Sequence, residues 1–454
     1  MPVIRNGVET YQGDQLVVEQ EYTGLVTEEL RRLGIAASEL DSNDQLSLTL
    51  LNLAGVDTAA AVLRQDSALV ESASLAQRAQ AQESASINDF DLVLSVMRQR
   101  MREAHDGWAA TVGKNRLVDR VQGSPYIKGA VGMPDPLVSL VDPPAVVPPR
   151  GGPPRGAPPR GAPPPGAPPA AVPQVTIQPA GQQTGARVAV LDTRLFAHPD
   201  LIGRFLGDSV SAFDHEPRSP QGHATFVAGL IAQRAPAAQL IVRAILDDDG
   251  ENANSWDVAT AMASLLDTGI DVLNLSLGCA TADRVEPLCL SRAVQRLVPS
   301  VVVVAAAGNN GMPDDQAAAL GLTAATPIYP AAIDGVIAVG AYDPAAGTGQ
   351  PAAFSPAVPW ADLLAPGVRV RSTFLSGQVQ LVKRGPDGSL VDAGTADFGQ
   401  PGYASWDGTS FAAANVSGAI AALIVPGRVS GYGALDQLLS PTGPGGDILP
   451  YGPG

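Results

Sequence analysis

The chain has 454 residues, 45% of them apolar, and a formal net charge of −16. That length supplies material for two cored domains, and that acidity speaks against nucleic acid or an anionic membrane surface as a partner. No run reaches the roughly 18 apolar residues of a membrane helix, and Met1 to Thr10 has no basic stretch before an apolar core, so the expected home is the cytoplasm.

The first part of the chain alternates between extended and helical patterns. Asp14 to Glu21 alternates like a strand, Thr27 to Leu33 reads as a short helix, and Gln45 to Leu53 alternates again. Asp57 is placed to cap a helix through Arg64. A longer amphipathic helix is expected over Ile87 to Ala104, with Phe90, Leu92, Leu94, Val96 and Met97 on its apolar positions. Residues 1–125 therefore read as a small α+β domain. It has no glycine-rich loop and only one histidine, His105.

Residues 126–184 read as a linker. Pro148-Pro149-Arg150-Gly151-Gly152 recurs as Pro153-Pro154-Arg155-Gly156-Ala157 and Pro158-Pro159-Arg160-Gly161-Ala162. A period-five tract without apolar periodicity cannot form a core and favours extended polyproline-II backbone.

From residue 185 the pattern changes. Arg187 to Leu191, Gln239 to Ile245, Ile270 to Leu275, Ser300 to Ala305 and Val336 to Gly340 are short apolar runs, mostly continuous, as suits strands buried on both faces of a parallel sheet. Helical stretches intervene at His223 to Gln233, Ser255 to Leu266 and Pro287 to Leu297. The expected fold over 185–440 is a three-layer α/β domain with a mostly parallel sheet. A hairpin is expected from Gln378 to Ala393 with its turn at Pro386-Asp387-Gly388, and 441–454 reads as a flexible tail. The two cysteines, Cys279 and Cys289, read as reduced thiols, and with no third cysteine or nearby histidine no metal site and no cofactor are expected.

Four residues carry chemistry. Asp192 ends an apolar strand, where carboxylates reach the crevice of an open α/β sheet. His223 opens the apolar helix Gly222-His223-Ala224-Thr225-Phe226-Val227-Ala228-Gly229. Asn309 follows the buried strand Ser300 to Ala307 and Gly308, and its amide can donate to a negative oxygen. Ser410 lies in Asp407-Gly408-Thr409-Ser410-Phe411-Ala412, at the first turn of a helix whose free N–H groups favour a developing anion. Singly, each residue reads equally well as a cap, a packed ring or a turn.

Taken in order, these motifs resemble the subtilisin-like serine peptidases, the subtilase family, over about 185 to 435. Asn274-Leu275-Ser276-Leu277-Gly278, Tyr329-Pro330-Ala331 and Ala365-Pro366-Gly367 extend the match. The resemblance implies a serine endopeptidase acting on a protein or peptide. Ser410 would be the nucleophile, His223 the general base, Asp192 its orienting carboxylate and Asn309 an oxyanion donor. Ser276, Leu277 and Gly278 would pair with substrate backbone, with Glu251 and Asn252 on the opposite edge. Ile328 stands where the family has a pocket-floor glycine, which implies a preference for small or medium apolar residues before the cut bond. The short stretch Ile231 to Pro236 implies loss of a calcium loop. The family's N-terminal inhibitory domains imply that residues 1–125 cover the cleft as an intramolecular partner or meet a regulatory one. Two alternatives stay open: a catalytically silent peptide-binding fold, and a processing or defence protease switched on by a partner.

Overall fold

In the computed structural model, the residues described here are 3–80, 87–120, 133–137, 185–207, 209–210, 212–213, 215–247, 253–312, 321–347, 349–384, 390–440 and 446–451. Most of the expected linker, the hairpin turn Pro386-Asp387-Gly388, and Glu251 and Asn252 lie outside them.

The N-terminal part contains strands β1 (Val3–Asn6), β2 (Glu9–Glu19), β3 (Ala36–Asn43), β4 (Leu48–Ala54), β5 (Val112–Arg120) and β6 (Asp135–Leu137). Its helices are α1 (Thr23–Arg32), α2 (Val56–Leu63), α3 (Ser67–Gln80) and α4 (Asp89–Ala104). Strands β5, β2, β4 and β3 form an antiparallel sheet, with β1 paired to β2. Successive residues of a strand face opposite ways, and here both faces are covered. Leu16, Val18, Leu51 and Leu53 pack with Phe90, Val93 and Met97 of α4. Val17, Leu48, Leu50 and Val118 instead join the core formed by Trp256, Leu290 and Val294 in the second half of the chain. This double burial explains the unbroken apolar runs Leu16-Val17-Val18 and Leu50-Leu51 inside stretches that read as alternating. Asp57 does not cap α2. Gly55 takes the cap position in the left-handed region, leaving Asp57 in the first turn, where its charge suits the helix dipole. Asn88 caps α4, its side-chain oxygen accepting from the Asp91 N–H at 2.9 Å.

The second part adds β7 (Arg187–Asp192), β8 (Phe205–Leu206), β9 (Gln239–Ala244), β10 (Ala253–Asn254), β11 (Val272–Leu275), β12 (Leu277–Gly278) and β13 (Val302–Ala306). It continues with β14 (Ile337–Tyr342), β15 (Leu363–Pro366), β16 (Val370–Thr373), β17 (Gln378–Arg384), β18 (Leu390–Asp397), β19 (Tyr403–Trp406) and β20 (Leu449–Pro450). The helices are α5 (His223–Arg234), α6 (Ser255–Ala263), α7 (Leu288–Leu297), α8 (Thr409–Leu423) and α9 (Gly431–Leu439). The main sheet runs β15-β14-β13-β11-β7-β9-β8, all parallel, and β20 closes the β15 edge antiparallel. Val188 and Val190 of β7 enter a core with Phe226 of α5 and Val416 of α8. Ala189 and Leu191 enter the opposite core with Met262 of α6 and Leu290 of α7. The result is a three-layer α/β fold with a mostly parallel sheet.

Two stretches read as unstructured hold strands. Within 441–454, β20 caps the sheet edge, and Arg234 is ion-paired to Asp447. Within 126–184, Asp135–Leu137 pairs with β19. In each case the partner strand is distant in sequence and supplies the ladder that local composition does not announce. Strands β17 and β18 form the expected hairpin, which extends to Asp397.

The N-terminal sheet is tied to α6 by polar contacts as well as by a shared core. Asn115 is fully buried, and its Oδ1 accepts from the Trp256 N–H at 3.0 Å and the Ser255 hydroxyl at 3.2 Å. It thereby satisfies donors at the start of α6 from outside that helix. Ser255 Oγ accepts the Arg116 N–H at 3.0 Å, Trp256 Nε1 donates to Asp41 at 2.9 Å, and Arg292 of α7 is ion-paired to Glu19. Among the described residues, no helix is long and apolar enough to cross a membrane.

Candidate active site

Strand β7 sits mid-sheet, and its last residue, Asp192, is completely buried. A bare carboxylate there is costly, so donors must surround it. The Thr193 N–H gives 2.7 Å to Oδ1, and His223 Nδ1 lies 2.8 and 2.9 Å from the two carboxylate oxygens. Facing a carboxylate, Nδ1 carries the proton, and Nε2 is left as the basic nitrogen. His223 is the first residue of α5 and is 3% exposed. Its ring packs against Trp406 at 5.7 Å, nearly perpendicular, and against Phe411 at 5.5 Å. Thr193 Oγ1 accepts the Ala224 N–H at 3.1 Å, which joins the Asp192 loop to the His223 turn.

Ser410 is the second residue of α8 and its hydroxyl is buried. Among the described residues Ser410 Oγ has no hydrogen-bond partner, so it is not bonded to His223. Such contacts are often loose before substrate arrives. The backbone behind Ser410 is fixed by a buried chain of bonds. Ser276 Oγ donates to the Ser410 carbonyl at 3.0 Å, Asn274 Nδ2 donates to Ser276 Oγ at 3.0 Å, and Ser417 Oγ donates to Asn274 Oδ1 at 3.0 Å. Asn309 is held at its carbonyl end, where Oδ1 accepts the Thr409 N–H at 2.9 Å and the Thr409 hydroxyl at 3.0 Å. Its amide end is therefore turned away from Thr409.

Ile328 packs between two glycines that wall the same space. A methyl group built at Gly278 would lie 2.6 Å from Ile328 Cγ2, and one at Gly308 would lie 2.9 Å from Cγ1. Leu277 and Gly278 are paired antiparallel with Arg120 and Asp119 of β5, and Ala253 and Asn254 of β10 pair with Val118 and Leu117. β5 thus lies along the Leu277–Gly278 edge that the resemblance assigns to substrate, and on its other side along Ala253–Asn254. Cys279 and Cys289 are both free thiols. Burial pushes the Cys279 thiol up to about 12, with the Arg116 guanidinium pulling the other way.

Asp192 and His223 are in contact, Ser276 touches Ser410, and Asn309 is positioned by the residue preceding Ser410. Residue-type reasoning passed over Asn274, Thr409, Ser417 and Trp406. Asn274 and Thr409 lie inside the quoted motifs, and a polar side chain within an apolar run was the signal available.

Asp407 is also buried. Its Oδ1 accepts the Arg369 N–H at 2.6 Å, holding Arg369 at a φ of 50°, while Oδ2 has no partner among the described residues. Burial pushes this carboxyl up from 3.8 to about 6, the Arg369 N–H and charge opposing and Asp135 and Asp343 adding to the rise. The folded state therefore holds this proton more tightly than the unfolded chain does. The stabilisation is full below about pH 4 and is lost as pH rises through about 6. Asp407→Asn keeps an acceptor for Arg369 and removes the charge. Denaturation midpoints across pH 4 to 8 should show the variant gaining on the parent as pH rises, by up to about 3 kcal/mol. A gap that does not change with pH would refute this.

The Subtilase family model matches residues 183–426. A thermophilic serine proteinase of Bacillus sp. (strain AK1) is 32% identical over 257 residues, which cover 54% of this chain and 53% of that protein. Subtilisin BL of Lederbergia lenta is 33% identical over 247 residues, covering 52% and 76%. The chain thus matches about half the length of the first of these relatives. Fervidolysin from Fervidobacterium pennivorans, a keratinolytic enzyme related to subtilisin, is 18% identical. It aligns over 92% of this chain and 55% of its own with a TM-score of 0.50, a likeness of fold.

Proposed function

The chain belongs to the subtilase family, and from that premise we propose that it is a serine endopeptidase working through Asp192, His223 and Ser410, with Asn309 assisting. The observation that carries this is the buried imidazole whose Nδ1 reaches both oxygens of Asp192. That bond fixes the tautomer with a basic Nε2 and stabilises the imidazolium formed when Nε2 takes a proton.

The steps follow from the residues. Ser410 Oγ attacks the carbonyl carbon of a peptide bond while its proton moves to His223 Nε2. The oxygen that becomes negative is met by the Asn309 amide and the backbone N–H at the start of α8. The imidazolium then protonates the departing amine. Water gives a proton to Nε2 as its oxygen bonds the acyl carbon, and the imidazolium returns that proton to Ser410 Oγ as the acyl–oxygen bond breaks and the acid leaves. Fluorophosphonate labelling should occur in the parent and vanish in Ser410→Ala. Asn309→Ala should label but lose about 10² to 10³ in kcat with little change in KM. Retained labelling in Ser410→Ala would move the nucleophile elsewhere and overturn the assignment, and a parent that does not label would favour a silent peptide-binding fold.

The floor formed by Ile328 favours a small or medium apolar residue before the cut bond. Ile328→Gly should move the preference, read on a peptide library, towards Phe and Tyr, since each added methylene has only about 1 kcal/mol to offer in such a pocket. An unmoved profile would remove Ile328 from that role.

The N-terminal part acts on this reading as the cleft's own occupant. β5 fills the edge at Leu277–Gly278 that an added substrate strand would use. Arg292→Glu sets two carboxylates against each other across the joint with Glu19 and should raise the initial rate on a peptide substrate severalfold. Glu19→Arg in that background should bring the rate back. Equal rates in all three would separate the N-terminal part from control of the site. A partner that displaces β5 would act the same way, so the partner-activated reading is a variant of this one.

A further inference from the structure

A buried acceptor without a donor lies beside Asn309, and it carries a reading that rests on the serine-peptidase assignment. Asn310 directly follows Asn309 and is 3% exposed. Its Nδ2 donates to the Thr323 carbonyl at 2.7 Å and to the Thr326 carbonyl at 3.4 Å. Carbonyl oxygens only accept, so these two contacts fix which end of the amide is nitrogen. The other end, Oδ1, is sealed from water and has no hydrogen-bond partner among the described residues. An acceptor left in that state is costly, and most buried polar atoms in folded chains are satisfied.

The surroundings of Oδ1 are set by Gly308. A methyl group built on Gly308 would lie 2.4 Å from Asn310 Oδ1 and 2.9 Å from Ile328 Cγ1. The oxygen and the Ile328 side chain therefore border one space, the slot between Gly278 and Gly308. Gly308 is in turn tied to the residue before Ser410, its N–H donating to Thr409 Oγ1 at 3.3 Å. The slot thus lies next to the start of α8. It is apolar on the Ile328 side and offers a single open acceptor on the Asn310 side.

We infer that Asn310 is a specificity-determining residue, its Oδ1 accepting a hydrogen bond from the side chain of the substrate residue before the cut bond. Ile328 limits the size of that side chain, and Asn310 calls for a donor on it. Threonine meets both conditions, with a methyl group for Ile328 and a hydroxyl for Oδ1, and serine comes next. Valine has the shape of threonine and no donor, so it leaves Oδ1 stranded. A site that hydrogen-bonds a substrate hydroxyl rejects the analogue lacking it far better than an apolar slot discriminates by size. The size preference set by Ile328 is thereby narrowed to side chains that carry a hydroxyl.

The test gives the full chain two peptides that differ only in threonine or valine before the cut bond. kcat/KM should favour threonine about tenfold or more. Asn310→Leu removes the acceptor, and the ratio of the two values should fall to one or reverse. Both peptides meet the same protein, so a general loss of activity cancels from the ratio. If Asn310→Leu does not fold, the parent ratio decides alone. A parent that cuts both peptides equally, or a variant that keeps the threonine preference, would overturn the inference and leave the peptidase assignment intact. Binding of the same two peptides to the full chain carrying Ser410→Ala, followed by fluorescence anisotropy, reads the preference without cleavage. Equal affinities there would also overturn it. A parent that fluorophosphonate fails to label, while threonine still binds more tightly than valine, would leave a hydroxyl-reading pocket on a fold that does not cut.

Discussion

A carboxylate sealed from water at the end of a central strand is the constraint around which this molecule is arranged. Asp192 has no exposed surface, and an ionised group there needs donors from several directions. One comes from its neighbour Thr193 and another from the imidazole of His223. Meeting that demand fixes the start of α5 against the end of β7 and fixes the imidazole tautomer at the same time. The aromatic rings of Trp406 and Phe411 close around the imidazole. Electrostatic need and packing therefore specify one orientation for a group whose other nitrogen is left as base.

The same logic runs through the polar chain behind Ser410. Ser417, Asn274 and Ser276 pass hydrogen bonds from the middle of α8, through the end of β11, to the carbonyl of Ser410. Each of these side chains is buried, and each finds its partner across an element boundary. Loss of one member would strand the others in a low-dielectric interior. The position of Ser410 is thus set by the sheet, and α8 does not hold it alone.

Much of this was legible in residue order. The runs Arg187 to Leu191 and Ser300 to Ala305 announce strands buried on both faces because they are apolar without alternation, and the helices between them follow the 3.6-residue period. The motifs around Asp192, His223, Asn309 and Ser410 announce the site because each sets a polar residue at the end of an apolar element. β5 and β6 escaped notice for a physical reason. Val112-Gly113-Lys114-Asn115-Arg116 carries its polar residues into a buried joint, where Asn115 meets α6 and Arg116 meets Glu9 and Ser255. Asp135-Pro136-Leu137 has a proline at its centre. What makes each a strand is a partner more than ninety residues away, and period and propensity carry no record of such pairings. β3 was missed for the opposite reason: it is an exposed edge strand, Ala36 to Asn43, with almost no apolar face.

One thiol gives this arrangement a chemical timetable. Cys279 directly follows Gly278, which pairs with β5, and desolvation keeps this half-buried thiol protonated well past neutral pH. Oxidants and alkylating agents react with the thiolate, so a thiol held protonated reacts slowly with them. Departure of β5 would remove cover beside the Leu277–Gly278 edge, which on the proposed reading takes substrate, and return the sulfur towards ordinary acidity. Unveiling the cleft would then also start a clock: a molecule free to work would be one that oxidation could retire.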